Sequence, residues 1–255
     1  MTPALALQGL NTFPGNARSF GTEGLSSFGN IGGYTPCGCC GSFHAIFEEG
    51  GGPLSLLNAD DRGGFGPNGR VSLTTGGAGA QITRSNVAWT TTLGQPGTVT
   101  FAFRSTAPTT MPSDTVGFTR FTDAQITATL LALASWSEVA NITFTRVDAG
   151  DGFSDGATML FGNYTSGSDG AAAFAYLPAT RTDSSNSGDV WINNSLSYNA
   201  APVLLGYGQQ VLTHEIGHAI GLSHPAAYNA APGQSLTYAA NAGYFEDSRQ
   251  YSIMS

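Results

Sequence analysis

From about residue 65 onward, hydrophobic and polar residues follow patterns that predict strands and helices. Residues 99–103 alternate with a period of two and are rich in Val, Thr and Phe, which favours a strand. Residues 142–145, 158–161 and 174–177 have the same character. Strands mixed with long helices in this order indicate an α/β fold, with a twisted sheet above a cleft.

Two longer segments have helical spacing. Thr122 or Asp123 can cap the first helix, and a second helix is predicted over residues 206–220. Apolar side chains of the first helix recur every three or four positions; they are Ile126, Leu130, Leu133, Trp136 and Val139. We expect the Leu and aromatic side chains among them to pack in the core.

Residues 1–64 show little of this periodicity. Glycine is frequent in residues 11–41 and 50–53, a composition typical of loops, a flexible tail or a pro-segment. We therefore divide the chain into a Gly-rich N-terminal segment, residues 1–64, and a folded domain, residues 65–255.

Composition excludes some functions. The 255 residues carry a net charge of −8, and all nine basic residues are Arg, so no basic patch favours nucleic acid. No apolar run is long enough to cross a bilayer. Residues 1–10 lack the charged start and apolar core of a cleavable signal peptide, which by itself would be compatible with the cytoplasm.

The most informative motif lies in the second predicted helix. His214, Glu215, His218, Gly221 and His224 form the pattern H-E-x-x-H-x-x-G-x-x-H. His214 and His218 lie one helical turn apart, so both imidazoles can bind one metal ion. Gly221 can adopt the positive φ that ends the helix, which lets His224 supply a third nitrogen. Three protein ligands leave one position open, as in a catalytic zinc site.

Glu215 follows the first of these histidines and can accept a proton from a zinc-activated water molecule. Met254 lies about thirty residues beyond the third histidine, in the run Tyr251-Ser252-Ile253-Met254-Ser255. Metzincin zinc proteases carry a Met-turn downstream of such a histidine motif. We expect Met254 to form an apolar floor beneath the metal and not to bind it.

At these positions the chain resembles the serralysins, secreted bacterial zinc endopeptidases of the metzincin type. The resemblance covers roughly residues 65–255 in the family's order. Beyond the zinc motif it includes these segments: 80–85, Trp89, 94–103, 134–144, 161–164, 175–178, 213–225 and 247–250.

The resemblance implies a metzincin catalytic domain: a twisted mixed sheet with an edge strand over the cleft, a long zinc-binding helix and a Met-turn. It implies hydrolysis of protein or peptide substrates, which would pair with the edge strand at Ala173, Phe174 and Ala175. It also implies secretion, or display at the cell surface, through a type I exporter that reads a C-terminal signal. A proteinaceous inhibitor is a further partner that this family allows.

The chain departs from the serralysin pattern at its C-terminal end. Ser255 follows the predicted Met-turn, and the Tyr that comes next in the family is not in this sequence. The G-G-x-G-x-D repeats that bind Ca²⁺ in the family are also not in it. We therefore expect this chain to be part of a longer polypeptide, with Ca²⁺ bound in a region beyond it.

All three cysteines lie in one segment of the N-terminal part, together with His44. A thiolate of Cys37, Cys39 or Cys40 could occupy the open zinc position and keep a zymogen latent. The same segment could form a small metal site of its own. Reduced thiols, or one disulfide with a spare thiol, are the third interpretation.

Two alternatives to a protease are open. A catalytically silent domain could bind zinc or peptides at the cell surface, but it would be expected to lack Glu215 or a ligand, and all four residues are present. A zinc hydrolase acting on a non-protein polymer is the other alternative, and the match at the edge strand disfavours it.

Overall fold

A computed structural model describes residues 63–92, 94–167, 171–178, 186–229 and 235–255. The predicted Gly-rich segment therefore lies almost entirely outside the described residues, as do Cys37, Cys39 and Cys40. Among the residues described, no helix is both long enough and apolar enough to cross a membrane.

A five-stranded mixed sheet forms the centre of the domain, in the order β3-β1-β4-β7-β6. Four of its strands are parallel, and β6 pairs antiparallel with β7 at one edge. The strands of this sheet are β1 (Gly97–Phe103), β3 (Ile142–Arg146), β4 (Met159–Tyr164), β6 (Ala173–Ala175) and β7 (Val190–Asn193). A second, two-stranded sheet pairs β2 (Thr115–Val116) with β5 (Ser166–Gly167). The predicted α/β architecture is confirmed.

The helices of the described residues are α1 (Thr75–Ile82), α2 (Asp123–Val139), α3 (Ser197–Ala200), α4 (Tyr207–Ala219) and α5 (Tyr238–Asn241). Helices α2, α3 and α4 pack against strands of the large sheet. Apolar side chains of β1, β4 and β7 pack with those of α2 and α4 in one core. Burial of this surface is the main force that fixes α4 against the sheet.

Helix α2 begins as the sequence predicts. Thr122 is its N-cap, and a reciprocal pair of hydrogen bonds with Gln125 completes a capping box. The prediction that its Leu and aromatic residues all face the core is wrong for Leu130, which is 40% exposed.

The buried face of α2 is made of small and polar residues: Gln125, Ala128, Thr129 and Ala132, together with Leu133. Small side chains let α2 approach the sheet and α4 closely, so the helix packs on a face that includes Leu133 but not Leu130. Trp136 lies partly buried and donates a hydrogen bond from Nε1 to the Thr213 carbonyl of α4, at 2.9 Å.

Candidate metal centre

Helix α4 holds the first two histidines of the motif. Its buried side chains, including Leu212 and Ile216, pack in the core, while His214 and His218 lie one turn apart beside the cleft. Gly206 is the N-cap and Ile220 the C-cap, so the predicted helix is correct to within a residue at each end.

Gly221 ends the helix with a φ of +113°, as the sequence predicts. A Cβ atom at this position would lie 2.3 Å from the carbonyl oxygen of Val87. Both facts require glycine, since side chains disfavour this φ and the neighbouring backbone leaves no room. The chain then turns back and brings His224 to the other two histidines.

The three imidazoles converge through their Nε2 atoms. Nε2 of His224 lies 3.2 Å from Nε2 of His214 and 3.2 Å from Nε2 of His218. Nitrogen atoms that bind one zinc ion tetrahedrally at about 2.0–2.1 Å lie about 3.3–3.4 Å apart. The arrangement therefore has the dimensions of a zinc site.

Backbone carbonyls fix the tautomer of each ring. The Nδ1 atoms of His214, His218 and His224 lie 2.7, 2.7 and 2.8 Å from the carbonyl oxygens of Ile253, Leu222 and Tyr228. A carbonyl only accepts, so each Nδ1 carries the hydrogen and each Nε2 presents a lone pair. Three lone pairs directed at one point repel each other unless a cation lies between them, which fits zinc.

Burial keeps these rings uncharged. It lowers the pKa of His214 to about 4 and that of His218 to about 3, and it also lowers the pKa of His224. Neutral imidazoles are the form that binds metal, so protons do not compete with a cation at neutral pH.

Glu215 points into the same cleft from α4 and is only 7% exposed. Burial raises the pKa of its carboxyl group to about 8. Its Oε2 atom is buried and has no hydrogen-bond partner among the described residues. A buried oxygen of this kind is costly unless it contacts a ligand, so its position fits a group that exchanges protons with a molecule held at the metal.

Met254 lies beneath α4, where the sequence predicts an apolar floor. It is 1% exposed, and a Cβ atom at Gly217 would lie 2.4 Å from its Sδ and 3.0 Å from the Trp136 ring. Gly217 therefore lets α4 sit directly on the turn. The preceding carbonyl, that of Ile253, accepts the His214 hydrogen bond, so this turn also orients a histidine of the cluster.

A second set of contacts holds the loop that carries His224. The Ser223 N–H donates to the carbonyl oxygen of Ile82 at 2.7 Å, and Arg84 donates to the carbonyl oxygen of His224. The Tyr228 ring stacks on the His224 ring, with centroids 5.2 Å apart. Its hydroxyl donates to Asp247 Oδ1 at 2.6 Å, and Asp247 is 3% exposed. The loop is thus tied to residues both before and after it in the chain.

Strand β6 faces the histidines across a cavity of about 760 Å³. Ala173, Phe174 and Ala175 all line it and are half-buried. Asn193 donates its N–H to Ala172 and Tyr176 donates its N–H to Asp189, and these two pairs flank the central pair of Phe174 with Trp191. Hydrogen-bonded pairs alternate along antiparallel strands, so the N–H and C=O groups of Ala173 and Ala175 point away from β7, along the open edge.

Comparison with known proteins agrees with this geometry. The family model for Peptidase_M10, described as matrixin, matches residues 95–243, which is more than half of the chain. The chain belongs to the Peptidase_M10 (matrixin) family.

Three curated relatives of this matrixin domain illustrate the likeness. It is 44% identical over 206 residues to metallopeptidase AprA of Pseudomonas marginalis, covering 79% of the chain and 42% of the relative. It is 43% identical to serralysin A of Dickeya chrysanthemi, covering 78% of the chain and 41% of the relative. It is 44% identical to serralysin C of the same organism, covering 84% of the chain and 43% of the relative. The predicted resemblance to the serralysins is confirmed, and the chain spans less than half the length of these relatives.

Several residues that shape this matrixin site carried no sequence signal. The carbonyls of Leu222, Ile253 and Tyr228 orient the three imidazoles, but any residue type offers a carbonyl. Arg84 and Asp247 fall in segments that resemble the serralysins, yet nothing in their spacing indicates contact with the His224 loop.

Proposed function

We propose that this chain carries the catalytic domain of a zinc-dependent endopeptidase that hydrolyses peptide bonds of extended protein substrates. The observation that supports this most is the convergence of three neutral Nε2 lone pairs beside a buried carboxyl group that has an unpartnered oxygen. His214, His218 and His224 would hold the metal, and Glu215 would serve as general base. When bound, zinc supplies a Lewis acid that polarises the scissile carbonyl and makes a water molecule acidic.

Glu215 and Met254 have separate roles in this mechanism. Glu215 accepts the proton of the attacking water and delivers it to the leaving amine nitrogen. Burial raises the pKa of this carboxyl group, which favours its holding the proton between the two transfers. Met254 supports α4 from below through Gly217, which keeps the two histidines of the helix in register with the third.

Substrate binding is proposed to use the backbone of β6. An extended peptide would lie antiparallel to this strand and exchange hydrogen bonds with the outward N–H and C=O groups of Ala173 and Ala175. Such pairing recognises the peptide backbone and not its side chains. An enzyme that binds substrate in this way would accept many sequences.

The relatives are more than twice as long as the part of them that this chain matches. We propose secretion or display at the cell surface through a type I exporter, with Ca²⁺ bound in a C-terminal region that the chain does not include. Residues 1–64 would act as a pro-segment, with Cys37, Cys39 or Cys40 as a candidate latch. A proteinaceous inhibitor would occupy the same cleft as the substrate.

A quenched-fluorescence assay with an unstructured peptide tests the central proposal. We expect cleavage that a zinc chelator stops, that added zinc restores, and that Glu215→Gln reduces by about 10²–10⁴-fold with zinc content unchanged. Glu138→Gln is the matched control, since it makes the same carboxyl-to-amide change at an exposed position on α2. Cleavage that survives chelation, or a Glu215→Gln variant as active as wild type, would contradict the mechanism.

A further inference from the structure

The arginines that the structure describes fall into two groups. Five of the six donate hydrogen bonds to protein groups: Arg70, Arg84, Arg104, Arg120 and Arg146. Arg249 is the exception, because it makes no hydrogen bond or ion pair with any described residue. It is exposed and lines the cleft together with His214 and Gln210.

An aromatic ring sets the position of Arg249. Its guanidinium carbon lies 5.3 Å from the centroid of the Tyr207 ring, at the first turn of α4. The Tyr207 ring in turn packs edge-on against the Tyr198 ring, with centroids 4.9 Å apart and an interplanar angle of 66°. A guanidinium that stacks on a ring through its flat face keeps its N–H donors free in the plane. Those donors form a fork that matches a carboxylate.

Nothing described in the cleft neutralises this charge. Glu215 is the only acidic side chain among the described lining residues, and it is 7% exposed. The other lining arginine, Arg84, donates to the carbonyls of Gln81, His224 and Ala226. The chain as a whole has a net charge of −8. The unpaired positive charge of Arg249 in the cleft is therefore opposite in sign to the net charge of the molecule.

We propose that Arg249 determines specificity by binding a carboxylate of the peptide substrate. Peptides with Asp or Glu at one fixed position near the scissile bond are then cleaved faster than peptides with a neutral residue there. Tyr207 precedes His214 by seven residues, about 10 Å along the helix axis. That distance is about three residues of extended chain, which places the acidic residue within three positions of the cleaved bond. This inference rests on the proposed endopeptidase function.

The test compares peptides that differ only in charge. A neutral quenched peptide with one cleavage site is varied to Glu, Gln or Lys at each of the three positions on either side of the cleaved bond. For wild type we expect kcat/KM for Glu over Gln to rise about three- to tenfold at one position, and the gain to shrink as salt is added. Arg249→Gln should abolish the gain, so that this variant cleaves the Glu and Gln peptides at equal rates, and Arg249→Glu should shift the preference to Lys.

Arg120→Gln is the charge-matched control, because Arg120 is exposed and does not line the cleft. Equal rates for Glu and Gln peptides in wild type would overturn the inference without any variant. So would a Glu preference that persists in Arg249→Gln, or one lost equally in Arg120→Gln. Activity on the neutral peptide shows that each variant is folded. Failure of wild type to cut that peptide would instead overturn the proposed function, and this inference with it.

Discussion

The two walls of the cleft are built in different ways. On the α4 wall, His214, His218 and Glu215 contribute through particular side-chain atoms, and a backbone carbonyl orients each histidine. On the β6 wall, Ala173 and Ala175 present backbone N–H and C=O groups at the open edge, and their side chains are single methyl groups. The chemistry of one wall therefore depends on residue identity, and that of the other depends on backbone geometry.

Removing a histidine from the α4 wall should have the largest effect. We expect His218→Ala to lower zinc affinity by more than about 100-fold, because loss of a ligand exceeds the 10–100-fold cost of losing a group that only orients one. Proteolysis should be lost with it. Zinc titration followed by calorimetry checks the affinity. Unchanged zinc affinity in His218→Ala would show that His218 is not a metal ligand.

Adding a methyl group beneath α4 should have the next largest effect. In Gly217→Ala the new Cβ meets Met254 Sδ at 2.4 Å, and we expect a loss of about 1–3 kcal/mol in the free energy of unfolding. Gly79→Ala in α1 is the control, because nothing lies within 4 Å of its Cβ position.

Chemical denaturation measures the free energy of unfolding of Gly217→Ala and of Gly79→Ala. The double variant Gly217→Ala with Met254→Ala should be more stable than the sum of its single changes predicts, since the two residues share one space. Additive losses would mean that Met254 does not support the helix at this point.

Loosening the loop of the third histidine should have a smaller effect. Tyr228→Phe keeps the ring stacked on His224 but removes the hydroxyl that anchors it to Asp247 at 2.6 Å. We expect zinc affinity to fall about tenfold, by analogy with other groups that orient a metal ligand. Tyr238→Phe, away from the histidines, is the control. Equal zinc affinity in Tyr228→Phe and wild type would show that the stacked ring alone holds His224.

A change in the β6 wall should have the smallest effect. Ala175→Pro removes an N–H that points to the open edge, so the pairing with β7 survives while one hydrogen bond to substrate is lost. We expect kcat/KM for a long peptide to fall about three- to tenfold, with zinc affinity unchanged. Ala175→Ser keeps the N–H and should behave as wild type. Equal losses in both variants would point to the side chain and weaken the contrast between the walls.

The sequence predicted some elements of the domain better than others, because only some of them require particular residue types. The histidine spacing and the glycine at 221 identify α4 because each requires one residue type. Strand β7 was not predicted: Val190–Asn193 is short and buried throughout, so it shows no alternation. Helix α1 was missed as well, since it buries no residue and its sequence is rich in glycine. Leu130 was assigned to the core because hydrophobicity alone does not reveal which face of α2 a tight contact selects.

The contacts around His224 also determine when activity can arise. Arg84 reaches the His224 carbonyl from 140 positions earlier in the chain, and Ser72 reaches Glu246 across 174 positions. Contacts this distant in sequence form late in folding, after the whole domain has left the ribosome. A nascent chain therefore has no assembled cleft while it is being synthesised, so the proposed activity cannot begin until the domain is complete.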